Sequence, residues 1–204
     1  LASADLDEVL HLWAGLGYYA RGRNLHKAAG VIMEKHLGLF PDQLDEVIAL
    51  PGIGRSTAGA ILALAFGSRH AILDGNVKRS LCRYHGIRGY PGDKKIADIL
   101  WELAEQHTPG SRVANYTQAI MDFGATLCTR SKPVCNICPQ RDDCYALEHD
   151  LVDSLPQARP RRERPARHCY MLAVIEQGSS HVQLFRRPAE GIWGGLFSLP
   201  EYES

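Results

Sequence analysis

Four cysteines in one short stretch constrain this chain more than any other feature. They are Cys128, Cys135, Cys138 and Cys144, separated by six, two and five residues. A thiolate quartet this close in sequence can enclose one metal centre, because only a loop has to fold around it. The residues between are loop-forming and partly basic: Thr129-Arg130-Ser131-Lys132-Pro133-Val134, then Asn136-Ile137, then Pro139-Gln140-Arg141-Asp142-Asp143. A pair of disulfides is the alternative. The rest of the chain argues against it, since 204 residues, 45% of them apolar, supply enough core to need no staples. The spacing serves a structural zinc and a [4Fe–4S] cluster equally, because both accept four thiolates.

The length fits one ordinary domain plus part of a second. No apolar run approaches a membrane span, so no membrane partner is expected. Leu1-Ala2-Ser3-Ala4-Asp5 has neither a Met nor a signal pattern, and reads as a chain entered partway through. The formal net charge is zero, so bulk charge does not point to nucleic acid. The local distribution does. Between Arg69 and Lys95 the basic residues are Arg69, Lys78, Arg79, Arg83, Arg88, Lys94 and Lys95, against Asp74 and Asp93 alone. Such a run predicts a phosphate-binding face, with a merely solvated face as the alternative. Cys82 and Cys169 lie apart from the quartet, in a helical and a strand-like pattern, and are expected to be small buried apolar residues.

Residues 4 to 150 read as helices joined by short turns. Leu6, Val9, Leu10 and Trp13 share one helical face, as do Ile96, Ile99, Leu100 and Leu103, with Val77, Leu81 and Tyr84 between. Gly15-Leu16-Gly17 stops the first helix, and a long second one is expected from Tyr18. From 151 to 167 prolines alternate with arginines, the composition of an extended basic linker. Beyond it the pattern turns strand-like: Tyr170 to Ile175 is one strand and Val182 to Phe185 another, with Gly178-Ser179-Ser180 turning between. The chain then ends within a second domain over 168–204.

Two further segments carry chemistry. In Leu50-Pro51-Gly52-Ile53-Gly54-Arg55-Ser56-Thr57 an apolar helix ends and another begins around a hairpin. Gly52 and Gly54 lack Cβ atoms and let the backbone approach a bulky partner. The amides opening the next helix suit an anion, and Ser56 or Thr57 is expected to cap it. A hairpin of this kind contacts phosphate and gives affinity without base specificity. A plain packing corner is the alternative. In Ile72-Leu73-Asp74-Gly75-Asn76-Val77-Lys78-Arg79, Asp74 falls at a helix start, where it is an N-cap or a functional carboxylate.

The hairpin, the Leu73–Val77 segment and the cysteine quartet occur in the order and at the separations of the helix-hairpin-helix DNA glycosylases, the group that includes endonuclease III. Within it the chain most resembles the adenine-specific mismatch glycosylase (MutY) family. Leu12 to Arg21, Asn24 to Ala29 and Ile120 to Ala125 carry that closer likeness, and the resemblance covers nearly the whole chain. It implies a mainly α core over 1–150 with an iron–sulfur loop, followed by the first strands of a MutT-like (Nudix-fold) α/β domain. It implies a [4Fe–4S] cluster on the four cysteines, with Arg130 and Lys132 in its loop meeting the DNA backbone. Asp74 would stabilise the sugar cation as adenine leaves, Asn76 would help position that site, and Tyr18 would wedge into the base stack. Gly52, Gly54, Arg55, Ser56 and Lys78 complete the expected contacts to DNA. The implied partner is double-stranded DNA with an adenine mispair, bound by a monomer in the bacterial cytoplasm at the nucleoid.

One position divides the group. The bifunctional endonuclease III type carries a lysine after the hairpin, whose amine attacks the sugar and allows strand cleavage. Here that position is Ser56, which cannot form the imine, so base excision alone is expected. The resemblance also implies a glutamate, in a helical segment upstream of Leu1, as proton donor to the leaving base. Asp5, Asp7 and Glu8 do not match it. The parent is therefore expected to excise adenine opposite guanine or 8-oxoguanine, and the chain as given to excise none. An endonuclease III-like glycosylase with lyase action and a non-catalytic DNA-binding iron–sulfur module are the rival readings.

Overall fold

The structure is a computed structural model and describes residues 1–159, 166, 168–178, 180–188, 191 and 193–203. It divides into two compact units, Leu1–Pro160 and Arg161–Ser204.

The first unit is helical. Helix α1, Leu6–Leu12, begins where the Asp5 carboxylate accepts from the Asp7 amide, and it buries Val9 and Leu10. Trp13 closes it and turns its indole Nε1 to donate to the Gly17 carbonyl at 3.1 Å. Helix α2 is Ala20–Lys35, so it starts two residues after the expected Tyr18, which has a left-handed φ of 48°. The loop through Gly15 and Gly17, both at positive φ, delays the helix. Helices α3, Leu44–Ile48, and α4, Arg55–Phe66, pack through Val47, Ala58 and Leu62. Helix α5, Gly75–His85, and α6, Lys94–His107, share the larger core of Ala71, Ile72, Leu73, Val77, Leu81, Cys82, Leu100 and Ala104. Cys82 is buried as expected, and burial pushes its thiol up to about 11. Of the expected α6 face, Leu100 is fully buried whereas Ile99 is 41% exposed.

Gly59 explains how the segment before Asp74 crosses α4. A Cβ on Gly59 would lie 2.5 Å from the Ala71 carbonyl oxygen, so only glycine admits that backbone. Helix α7, Val113–Asp122, runs on into a π-helical turn, Phe123–Leu127. The cysteine loop follows as short 3₁₀ turns at Cys135–Ile137 and Arg141–Asp143, and ends in α8, Tyr145–Glu148.

The second unit contains short antiparallel pairs among its described residues. Strand β1, Cys169–Met171, pairs with β4, Glu201–Glu203, in the register Tyr170↔Tyr202. Strand β2, Phe185–Arg186, pairs with β3, Phe197–Ser198. The expected hairpin is present as an Ile175↔Val182 bridge with Gln183 donating to the Val174 carbonyl at 2.9 Å, although regular strand covers less of it than the pattern suggested. Cys169 is exposed, contrary to its expected burial, because it lies in the two-stranded β1–β4 sheet. Most of the arginine–proline stretch, at 160–165 and 167, lies outside the described residues, as do Ser179 of the turn and Ile192. Among the described residues no helix is long and apolar enough to cross a membrane.

Candidate functional site

The hairpin is closed by the Ile53 amide donating to the Leu50 carbonyl at 3.1 Å. Gly52 takes φ +80°, and a Cβ there would meet Asn24 of α2 at 2.7 Å, so the hairpin lies against α2. Gly54 is the N-cap of α4 and offers no side chain to it. A Cβ on Gly54 would meet nothing within 4 Å, which leaves this backbone open to a large partner. The first amides of α4 lack helical acceptors and face outward there, an arrangement suited to an anion.

Ser56 does not cap α4 as expected. Its Oγ instead accepts from the Leu73 amide at 2.9 Å, reaching across to the chain just before Asp74. Arg55 stacks over Trp101 at 3.9 Å from the ring centroid and pairs with Glu105 at 3.1 Å. Arg69 reaches the same region, donating Nη2 to the Glu105 carbonyl at 2.7 Å and Nε to the Thr108 carbonyl at 3.1 Å. Trp101 and Glu105, on α6, therefore orient the hairpin's arginine, and sequence reasoning did not single them out. Their α-helical spacing of four was the available signal.

Asp74 is the N-cap of α5, and its Oδ1 accepts from the Val77 amide at 2.8 Å. Asn76 is partly buried in the first turn of α5, and its Oδ1 accepts from Arg79 Nη2 at 3.0 Å. Arg79 also donates to the carbonyls of Gly124 at 2.6 Å and Cys128 at 2.8 Å. A Cβ on Gly124 would come within 2.6 Å of Asn76 Cβ, so the π-helical turn packs directly on Asn76. Burial holds the Arg79 guanidinium below its ordinary value, partly opposed by Cys128.

Arg79 and Arg83 correct the picture of a basic face. Both are buried, at 9% and 3% exposure, so they supply no phosphate contact. Arg83 donates from Nε to the carbonyls of Val152 at 3.0 Å and Leu155 at 2.9 Å. Its other nitrogens donate to the Thr129 carbonyl at 2.7 Å, the Arg130 carbonyl at 3.2 Å and Cys128 Sγ at 3.5 Å. Lys78 is half-buried, and Arg130 and Lys132 are exposed on the cysteine loop, where Lys132 has a φ of 56°. Tyr18 is 83% exposed, with the Arg21 guanidinium 5.5 Å over its ring.

All four cysteines line one cavity of about 640 Å³, together with Arg83, Pro133 and Pro139. None is in a disulfide. Burial raises the Cys135 thiol above its ordinary value, reinforced by the thiolates of Cys128, Cys138 and Cys144 and opposed by Arg83. Among the described residues no three His, Cys, Asp or Glu side chains converge on an ion-sized point. The unpaired thiols on one cavity supply a four-thiolate donor set, and Arg83, 3.5 Å from Cys128 Sγ, suits the negative charge of thiolate ligation.

A family model described as "HhH-GPD superfamily base excision DNA repair protein" matches residues 1–106. The adenine DNA glycosylase of Buchnera aphidicola subsp. Acyrthosiphon pisum is 41% identical over 204 residues, covering 100% of this chain and 58% of the relative. The human adenine DNA glycosylase is 45% identical over 244 residues, covering 98% of this chain and 45% of the relative. The chain thus spans about half the length of the curated relatives it matches. Among solved structures, a thermostable thymine-DNA glycosylase superposes with TM-score 0.66 and 30% identity, over 72% of this chain and 68% of that one. A trapped endonuclease III–DNA covalent intermediate gives 0.61 and 25%, over 74% and 69%.

Proposed function

The chain belongs to the HhH-GPD superfamily of base-excision DNA repair proteins, and from that premise we propose that it carries the catalytic core of an adenine DNA glycosylase. The reaction is hydrolysis of the N-glycosidic bond of adenine opposite guanine or 8-oxoguanine in double-stranded DNA. The observation that carries the reading is Asp74, fixed as the N-cap of α5 at 2.8 Å from the Val77 amide. It is joined to the hairpin through Ser56 and Leu73.

The target base must leave the stack before any side chain can reach its sugar. The hairpin amides and Arg55 hold a phosphate beside the site, with Lys78, Arg130 and Lys132 adding charge along the backbone. Tyr18, exposed in the loop just before α2, fills the space beside the orphaned partner base. As adenine departs, positive charge grows on the sugar, and the fixed Asp74 carboxylate offsets it. Asn76, held by Arg79, lies two residues on and keeps that end of α5 in register. Ser56 Oγ is engaged with the Leu73 amide and provides no amine, which supports hydrolysis without strand cleavage.

The four cysteines would hold a [4Fe–4S] cluster that fixes the shape of the basic loop. The strands after residue 168 are the opening of a Nudix-like domain. The protein works as a cytoplasmic monomer on nucleoid DNA. The test is excision of adenine opposite 8-oxoguanine by the full-length gene product, with and without alkali and with borohydride. Base loss without strand breaks before alkali is expected. Breaks that keep pace with base loss, with strong borohydride trapping, would return the bifunctional reading; DNA binding without base loss would return a non-catalytic module.

A further inference from the structure

Away from Asp74 and the hairpin, two histidines stand in direct contact. His85 closes α5 and His107 closes α6, with their Nε2 atoms 2.8 Å apart. The ring centroids are 5.0 Å apart and the planes are inclined by 40°. The Tyr84 ring stands edge-on to both, at 4.9 Å and 6.2 Å, and limits how each can turn. In such a contact one Nε2 donates and the other accepts. His85 is half-buried, and burial with the neighbouring His107 holds it below its ordinary value. Both side chains end helices, where the backbone carbonyls favour positive charge.

We propose that His85 and His107 form a two-histidine site for a divalent transition-metal ion of the nickel(II) or copper(II) type. On binding, the donor ring gives up its Nε2 proton and takes one from solvent at Nδ1, so that both rings are neutral Nδ1–H tautomers. Each then turns its Nε2 lone pair to the ion. With bonds of about 2.0–2.1 Å, two nitrogens on adjacent corners of a square-planar or octahedral ion lie about 2.9 Å apart. That matches the 2.8 Å separation, so the ion enters by rotation of the two rings without movement of either helix. A tetrahedral ion would need about 3.4 Å, so the geometry disfavours zinc. His107 is exposed, and water completes the coordination from that side. The bound ion ties the ends of α5 and α6 together at a place the glycosidic reaction does not use.

The test titrates the tag-free full chain with nickel(II) by calorimetry, recording absorption in parallel. One nickel per chain is expected at the pair. His85→Gln and His107→Gln should each weaken binding by roughly tenfold or more, since losing a ligand exceeds losing a residue that orients one. A thermal melt establishes that each variant is folded, and the exposed position of His107 makes its variant the decisive one. Undiminished affinity in folded His107→Gln overturns the proposal. So does nickel binding that brings thiolate charge-transfer absorption unchanged by either substitution, because the ligands are then cysteines. So does the absence of binding, which leaves a hydrogen-bonded pair only.

Discussion

Ser56 Oγ accepts a hydrogen bond from the Leu73 amide at 2.9 Å, and this single contact ties the hairpin to the residue before Asp74. The glycine hairpin and the Asp74 carboxylate are thereby one mechanical unit. Ser56→Ala would leave the amide of a buried residue without its acceptor, at a cost of about 1–3 kcal/mol in unfolding free energy. Urea denaturation measures it. Ser56→Thr, which keeps the hydroxyl, should recover most of the loss; equal losses in both variants would remove the contact from the explanation.

Asp74 caps α5, and on the proposed reading it would have a second, separable duty in the chemistry. Asn caps helices about as well as Asp, so Asp74→Asn should leave stability nearly unchanged. In the full-length protein it should nevertheless slow adenine excision by at least ~2.7 kcal/mol of barrier, by loss of the charge. Asp74→Ala should lose the same activity and in addition about 1 kcal/mol of stability with the cap. Single-turnover excision and denaturation, run side by side, check both. Retained excision in Asp74→Asn would take the carboxylate out of the chemistry.

On the proposed reading, Glu105 would compete with DNA phosphate for Arg55. It pairs with Arg55 at 3.1 Å and Arg69 at 3.7 Å, all three partly exposed. Glu105→Gln should tighten duplex binding at low salt and steepen its salt dependence by about one phosphate contact. Arg55→Ala should weaken binding to matched and mismatched duplex alike. Fluorescence anisotropy across a salt series reads both slopes. A Glu105→Gln variant with the wild-type slope would mean that Arg55 stays on Trp101 in the complex.

Arg83 can be tested through its shape. Lysine keeps the charge but cannot reach carbonyls on both sides with one planar group. Arg83→Lys should therefore destabilise by about 3 kcal/mol or more, because several buried carbonyls lose a charged donor. Iron retained per chain after purification should fall with it. Full stability and iron content in Arg83→Lys would show that charge alone suffices.

His85 gives a pH signature with a definite sign. Burial, and then His107, hold it below its ordinary 6.5. Just below that value the unfolded chain binds more protons than the folded one, so stability rises with pH and is lost on acidification through that window. Urea midpoints between about pH 7.5 and about pH 5.5 should fall further for the wild type than for His85→Gln. Parallel loss in the two proteins would assign the effect to other groups.

What could be read from the sequence is what lies in short local patterns. The cysteine spacing lies within one loop, the two hairpin glycines and the capping Asp74 each occupy a few residues, and Gly54 and Asp74 stand at helix starts. What could not be read depends on distant partners. Arg79 and Arg83 sit in a basic run and look solvated, yet carbonyls from residues 124 to 155 surround them. Ser56 looks like a helix cap, but Leu73 claims its hydroxyl. Arg55 looks free, but α6, 50 residues on, supplies its partner. Helical periodicity found α6 and still misplaced Ile99, because a core of this size leaves one edge of that helix in water.

Arg83 has a consequence for the cysteine loop as a polymer. Its guanidinium grips Thr129 and Arg130 at one end of the loop and Val152 and Leu155 at the other. One side chain from α5 thus converts an open stretch of about 25 residues into a ring without a covalent link. Closing a flexible segment of that length costs roughly 3 kcal/mol of chain entropy, apart from a constant term. Here that cost falls on the folding of the helical unit, through a residue that is itself 3% exposed. The four thiols are therefore presented at a high effective concentration to whatever they bind, and the affinity for a bound metal would be set partly by an arginine that need never touch it.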